Sequence, residues 1–193
     1  MKSKLTTKDL IGAGAFGAIY VVLLAVVSTI LSMAPIAFLM TPLIMGIVGG
    51  TVYMVYVSRI QKTGAIMILA VLVGLATSNS TIYPFFIALI WGVLAEIVYK
   101  LRRNQAATAI QLSYCVFNLT SIGPFFTIIL AKQAFLDSCV MYYGQAYTDT
   151  IDKYTPSWIA LVFIAFAIVG ALMGGKVGQR LLKKHFVKVG IVV

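Results

Sequence analysis

The chain is short of acid, histidine and cysteine, and these shortages remove most catalytic and metal-binding chemistry before any motif is read. Five of its 193 residues are Asp or Glu, one is His and two are Cys. His185 lies among Lys183, Lys184 and Lys188, so no Ser/His or His/Cys cluster can assemble around it inside an apolar span. Cys115 and Cys139 are separated by 24 positions of largely helical sequence (139 − 115), whereas a disulfide needs Cα atoms within roughly 7 Å. Both are expected as free thiols. None of the glycine clusters reads Gly-x-x-x-x-Gly-Lys-Ser/Thr, so ATP hydrolysis by a P-loop is excluded. The expectation is a chain that is not an enzyme and carries no cofactor or metal, with any ATPase on a separate subunit.

Charge is scarce too, at 10% of residues against 61% hydrophobic, with a mean hydropathy of +1.01. Charged residues alone run near about a quarter in a soluble domain, so the solvent here is lipid. The net charge of +10 would point to nucleic acid in a soluble protein. In this chain the basic residues fall in short blocks between apolar runs, which reads as topology signals and anionic-lipid contacts. The first apolar run is long and lacks a small-residue cleavage site followed by a polar chain. It is expected to stay as a span rather than leave as a signal peptide.

Judged against the roughly 20 residues needed to cross about 30 Å of hydrocarbon, six spans can be drawn. They are Leu10–Ser32, Ile36–Val57, Gly64–Ala76, Ile82–Tyr99, Ala106–Ala131 and Trp158–Leu182, the third being short. Lys2, Lys4, Lys8, Arg59, Lys62, Lys100, Arg102, Arg103, Lys176, Arg180, Lys183, Lys184 and Lys188 then share one side. The other side holds only Lys132 and Lys153, offset by Asp137, Asp149 and Asp152. The positive-inside rule makes the basic side cytoplasmic. The expected fold is therefore all-α integral membrane, a single six-helix domain over residues 1–193 with both termini cytoplasmic.

Three connections lie on the outer side: a tight Met33-Ala34-Pro35 turn, the polar quintet Thr77-Ser78-Asn79-Ser80-Thr81, and a long acidic, Tyr-rich loop from Phe135 to Pro156. Polar, non-helical backbone at membrane depth needs protein or a water-filled cavity to satisfy it. The quintet therefore reads either as a loop dipping into an outward-facing pocket or as an ordinary loop after a longer third span.

Small residues mark close helix contacts. Gly170, Gly174 and Gly178 repeat every four residues in the last span. In the first, Gly14, Ala18, Val21, Ala25, Ser28 and Ser32 form one seam and Ala13 with Gly17 a second. One neighbour requires only one seam, so the other can face a different protein. Glu96 is the lone acidic residue within a span; it stands four before Lys100, the favourable order for a helix-end ion pair, with a proton path as the alternative. The outer half otherwise offers amides and aromatics: Asn79, Tyr83, Trp91, Asn118, Gln133, Tyr142, Tyr143, Tyr147 and Trp158, with Asp137 and Lys132 as polar anchors. Such groups suit a small neutral heterocycle, and Trp158 and the tyrosines equally suit an interfacial belt. Asn118 stands near mid-span, where its amide must find a partner.

These residues carry a resemblance. Lys-Leu-Thr-Thr-Lys-Asp-Leu-Ile at positions 4–11, the small-residue stripe behind it, Thr155-Pro156-Ser157-Trp158, and the run from Gly174-Gly175 to Leu181-Leu182-Lys183-Lys184-His185-Phe186 resemble one group of membrane proteins. It is the Trep_Strep, or MptD-like, branch of substrate-binding S components of energy-coupling factor (ECF) transporters. The resemblance implies a six-helix vitamin-capture subunit that works with a transmembrane coupling protein (EcfT type) and two cytoplasmic ATPases (EcfA type). It implies a coupling-protein contact at Ala13, Gly14, Gly17 and Ala18, and loops 33–35, 77–82 and 132–156 closing over substrate. The substrate-binding residues expected are Asn79, Tyr83, Asn118, Gln133, Asp137 and Trp158, with a hydroxymethylpyrimidine or a pyridoxine-like molecule as ligand. Toppling of the subunit in the membrane would release it inward. A stand-alone secondary carrier and a non-transporting scaffold are the competing expectations.

Overall fold

The computed structural model describes residues 5–78, 81–102, 106–182 and 184, and among these there is helix and no strand. The helices are α1 (Thr7–Leu31), α2 (Pro35–Leu39), α3 (Thr41–Arg59), α4 (Ala65–Thr77), α5 (Tyr83–Leu101), α6 (Ala106–Phe117), α7 (Phe126–Leu130), α8 (Lys132–Tyr143), α9 (Gln145–Tyr154) and α10 (Ile159–Leu181). A 3₁₀ segment, Asn118–Phe125, joins α6 to α7. Among the described residues, five stretches are long and apolar enough to cross a membrane: α1, α3, α5, the combined 107–130 segment and α10. With 13 residues, α4 reaches only about 20 Å. It ends at Thr77, one residue past the expected Ala76, and the Thr77 and Ser78 hydroxyls fold back to donate to Val73 O and Gly74 O at 2.9 and 2.7 Å.

Three expectations need correction. The second span, drawn as Ile36–Val57, is broken at Met40 into α2 and α3. Pro42 has no N–H for the Phe38 carbonyl four residues back, and the Thr41 hydroxyl donates to that carbonyl instead, at 2.6 Å. The fifth span is not one α-helix, because Pro124 interrupts its ladder and eight residues wind as 3₁₀, twice the usual length of such a run. The expected outer loop over 132–156 is a helical hairpin, α8–α9. Gln133 donates to Asp137 at 3.0 Å and Gln145 to Asp149 at 2.7 Å, the i,i+4 pairing that supports polar helices. Gly144, at φ +86°, makes the turn between them.

One end of the bundle is basic. The Lys62 ammonium pairs with Asp9 of α1, and Gln179 of α10 donates to Ala107 O of α6 at 2.9 Å. Glu96 of α5 accepts from the backbone N–H of Gly64 and Ile66, at 2.9 and 3.2 Å. These links gather the start of α1, the end of α3, the starts of α4 and α6, and the ends of α5 and α10. At the opposite end Lys132 binds Asp152 and the Thr155 carbonyl, at 2.6 and 2.9 Å.

Two contacts between helices bear most directly on the features read from the sequence. Parallel α3 and α10 touch backbone to backbone along Gly46 and Gly50 on one side and Gly170, Gly174 and Gly178 on the other. A Cβ on Gly174 would lie 2.2 Å from Gly46 O, and one on Gly170 would lie 2.2 Å from Leu43 O. The glycine repeat of the last span is therefore internal packing. Without a hydrophobic drive between helices in lipid, such close approach supplies the dispersion and weak C–H···O contacts that hold a pair together.

Glu96 is the second. Gly64, at φ +94°, is the N-cap of α4 and has no side chain with which to cap it. The 4%-exposed Glu96 carboxylate does this from α5, at the positive end of the α4 dipole. The expected pair with Lys100 is present at a looser 3.7 Å. Glu96→Leu leaves two N–H groups unpaired, at about 1–3 kcal/mol each if both stay buried. It is expected to lower the unfolding midpoint in detergent clearly, and Glu96→Gln less so. Equal midpoints for all three proteins would contradict the capping role.

Candidate functional site

The centre of the bundle is a seam of buried hydroxyls and amides walled by aromatic rings. Tyr20 on α1, Tyr53 on α3, and Ser113 and Tyr114 on α6 are all 2% exposed or less. Ser113 donates its one proton to Ala95 O of α5 at 3.0 Å, so Tyr53, 2.6 Å from Ser113 Oγ, is the donor in that pair. Tyr114 donates to Gly46 O at 2.7 Å. Gly49 leaves room for the hydroxyls of Tyr20 and Tyr114, which would lie 3.0 and 3.1 Å from a Cβ there. Ring centroids of Tyr53–Tyr114 and Tyr53–Phe117 are each 4.9 Å apart, and Tyr20 meets Phe117 edge-on at 5.8 Å.

Two amides extend this seam along antiparallel α6 and α10. Asn118 Nδ2 donates to Pro42 O and Ala167 O at 3.1 and 2.8 Å. Gln111 Nε2 donates to Ala171 O at 3.0 Å. Both amide oxygens are buried and have no hydrogen-bond partner among the described residues. A buried acceptor left open costs free energy and calls for a donor.

The sequence-predicted substrate residues do not converge. Asn118 is fully buried in this seam. Tyr83 is 49% and Trp158 61% exposed, as an interfacial belt would place them. Gln133 and Asp137 are exposed and bond to each other on α8. Asn79 lies outside the described residues. Sequence reasoning passed over Tyr20, Tyr53, Gln111, Ser113 and Tyr114. A readable signal was the i, i+3, i+7 placement of Gln111, Tyr114 and Asn118, which puts three polar groups on one helix face.

Between the seam and the α8–α9 hairpin the space is packed with rings. Phe38, Phe125, Phe135 and Phe163 make a contiguous stack, with Phe125–Phe163 at 4.7 Å, Phe38–Phe125 at 5.0 Å and Phe38–Phe135 at 6.3 Å. The hairpin adds the Tyr143–Tyr147 stack at 4.6 Å. Burial holds the Tyr147 hydroxyl up at about 12 and pushes the Cys139 thiol up as well. Both groups are neutral at physiological pH, and Cys115 and Cys139 are free.

The two seams of α1 face different ways. Ala13 and Gly17 are buried inside the bundle, where a Cβ on Gly17 would lie 2.3 Å from Leu72 Cδ1 of α4. These two positions, expected at the coupling-protein contact, instead pack this chain against itself. Gly14 and Ala18 are exposed, and nothing lies within 4 Å of a Cβ on Gly14. They share their free face with Leu10, Ile11 and Val22, each more than half exposed. Only 22% of the apolar stretch of α1 is buried, against 67% for α3.

No curated protein and no solved structure matches this chain. A family model described as a hypothetical bacterial integral membrane protein (Trep_Strep) matches residues 7–188. Together with the apolar helices, this makes the protein a multi-pass bacterial membrane protein. The chain belongs to the Trep_Strep family.

Proposed function

We propose that this chain is the substrate-capturing membrane subunit of an ECF-type importer. Its sixth segment is the short α4, and its basic face and both termini are cytoplasmic. A small neutral heteroaromatic of the hydroxymethylpyrimidine or pyridoxine type is bound from outside and released inward when the subunit topples against a coupling protein driven by two ATPases. The observation that carries this reading is the free face of α1: a 25-residue apolar helix with Gly14 and Ala18 exposed beside a seam already used internally. Small residues left uncovered on a membrane helix suit a second close helix contact, here with the coupling protein.

Two further features agree. A body that reorients through lipid must keep charge off its apolar surface, where a charged residue costs about 2.5–3.5 kcal/mol at the bilayer centre on insertion scales. Glu96, the acidic residue deepest in a span, is buried against backbone N–H groups. The open oxygens of Asn118 and Gln111 suit a ligand that brings N–H or O–H donors. Entry requires the α8–α9 hairpin and its phenylalanine stack to move aside.

The filled outer half favours one other reading, a membrane scaffold that binds no small molecule. Equilibrium binding by the purified protein separates the two. The expected result is saturable binding of hydroxymethylpyrimidine or pyridoxine with Kd below about 1 μM, or about −8 kcal/mol. Tight binding of a metal ion or an anionic folate with no response to pyrimidines or pyridines would contradict the ligand class. No binding across the panel would favour the scaffold.

A further inference from the structure

A recess of about 330 Å³ opens between the last turn of α5 and the C-terminal half of α6, lined by Val98, Leu101, Arg102, Leu112, Cys115 and Val116. All but Arg102 are apolar or a neutral thiol, so the slot is suited to hydrocarbon. Arg102 is exposed at the end of α5, at the basic face. The five carboxylates of the chain are committed elsewhere: Asp9 to Lys62, Glu96 to the start of α4 and to Lys100, and Asp152 to Lys132. Asp137 and Asp149 accept from Gln133 and Gln145 at the far end. No carboxylate among the described residues pairs with the Arg102 guanidinium, whose planar fork fits a phosphate in bidentate fashion.

An apolar slot headed by a guanidinium with no carboxylate partner among the described residues has the polarity of one amphiphile. We propose that the α5–α6 groove holds one anionic phospholipid of the leaflet bordering the basic face, its phosphate on Arg102 and an acyl chain along Leu112 and Val116. Diffuse attraction of anionic lipid to a basic face is general. Among the described residues this groove couples one cation, Arg102, to an apolar lining, so its preference is expected to depend on Arg102 and not on face charge as a whole.

The test uses full-length protein equilibrated in vesicles of equal phosphatidylglycerol and phosphatidylcholine, released gently and weighed by native mass spectrometry. The expected result is one retained phosphatidylglycerol per chain, in roughly tenfold excess over phosphatidylcholine, whose choline cation neutralises the same phosphate and repels the guanidinium, so that about one charge-assisted contact is lost. Arg102→Gln should remove the excess. Arg180→Gln, on the same face but outside the groove, should leave it intact. Leu112→Trp fills the slot and should reduce retention with Arg102 still present. Retention without headgroup preference, an equal loss in Arg180→Gln, or a second copy of the chain seated in place of lipid would overturn the assignment.

Discussion

Gly174→Leu is expected to yield no monodisperse folded protein in detergent, and Gly174→Ala a protein with a sharply lowered unfolding midpoint. A Cβ at this position lies 2.2 Å from Gly46 O and 2.4 Å from Ile47 O, and both atoms are backbone. A flexible side chain can swing away from such a contact; a helix carbonyl cannot. Relief requires α3 and α10 to separate, which strips contact from Gly50, Gly170 and Gly178 as well. The cost of Gly174→Ala is expected at or beyond the top of the roughly 1–3 kcal/mol typical of core overpacking. Gly14→Ala is the control: its Cβ meets nothing within 4 Å, and replacing a helical glycine gains up to about 1 kcal/mol of propensity. The same chemical change should therefore have opposite signs at two glycines. Thermal midpoints in one detergent decide it, and a loss for Gly14→Ala matching that for Gly174→Ala would contradict the packing described.

Gly14→Leu combined with Ala18→Leu is expected to abolish uptake while the protein stays folded and binds ligand. Both residues sit on the free face of α1, so leucines there project into lipid and disturb no internal contact. A partner helix approaching through the small residues would be held off by two branched side chains. Loss of about 1.4 kcal/mol already means tenfold weaker association, and two leucines in a small-residue contact should exceed that. Co-purification with a coupling protein should fall together with uptake. The matching change at Ala13 and Gly17 should instead unfold the protein, because that seam packs against α4. If the Gly14/Ala18 double variant loses ligand binding and keeps its partner, the free face has been given the wrong role.

Much of the architecture was legible because membrane helices declare themselves by apolar length. The expected first, fourth and sixth spans fall within three residues of α1, α5 and α10 at either end, and the expected third coincides with α4, which is shorter than the five stretches long enough to cross. The glycine repeat in α10 and the Glu96–Lys100 pair were also readable, since both depend on local helical spacing. What hydropathy concealed was backbone interruption. Pro42 and Pro124 sit in runs apolar enough to be drawn as continuous spans, yet each removes an N–H and breaks the ladder at that point. The α8–α9 hairpin was hidden because its polar composition resembles a loop, although Gln133/Asp137 and Gln145/Asp149 stand at helical spacing.

The candidate site was less legible for a related reason. Exposed aromatics such as Tyr83 and Trp158 have the composition of a pocket wall but lie on the surface of the bundle. The hydroxyls that do meet, Tyr20, Tyr53, Ser113 and Tyr114, come from three helices far apart in sequence, and the Ala95 carbonyl comes from a fourth. Their meeting depends on how α1, α3, α5 and α6 rotate against one another. Asn118 was found because a mid-span amide must be satisfied wherever it points. Its Nδ2 bonds α3 to α10, while Oδ1 remains open for a donor.

The central claim is that this chain captures substrate and draws its energy from partners. Its most direct test is uptake of labelled hydroxymethylpyrimidine and pyridoxine into vesicles, with and without a coupling protein and two ATPases. The account predicts no accumulation by this chain alone under any ion or proton gradient, and ATP-dependent accumulation once the partners are present. Gradient-driven uptake by the chain alone, lost on Glu96→Gln, would contradict it and identify a secondary carrier.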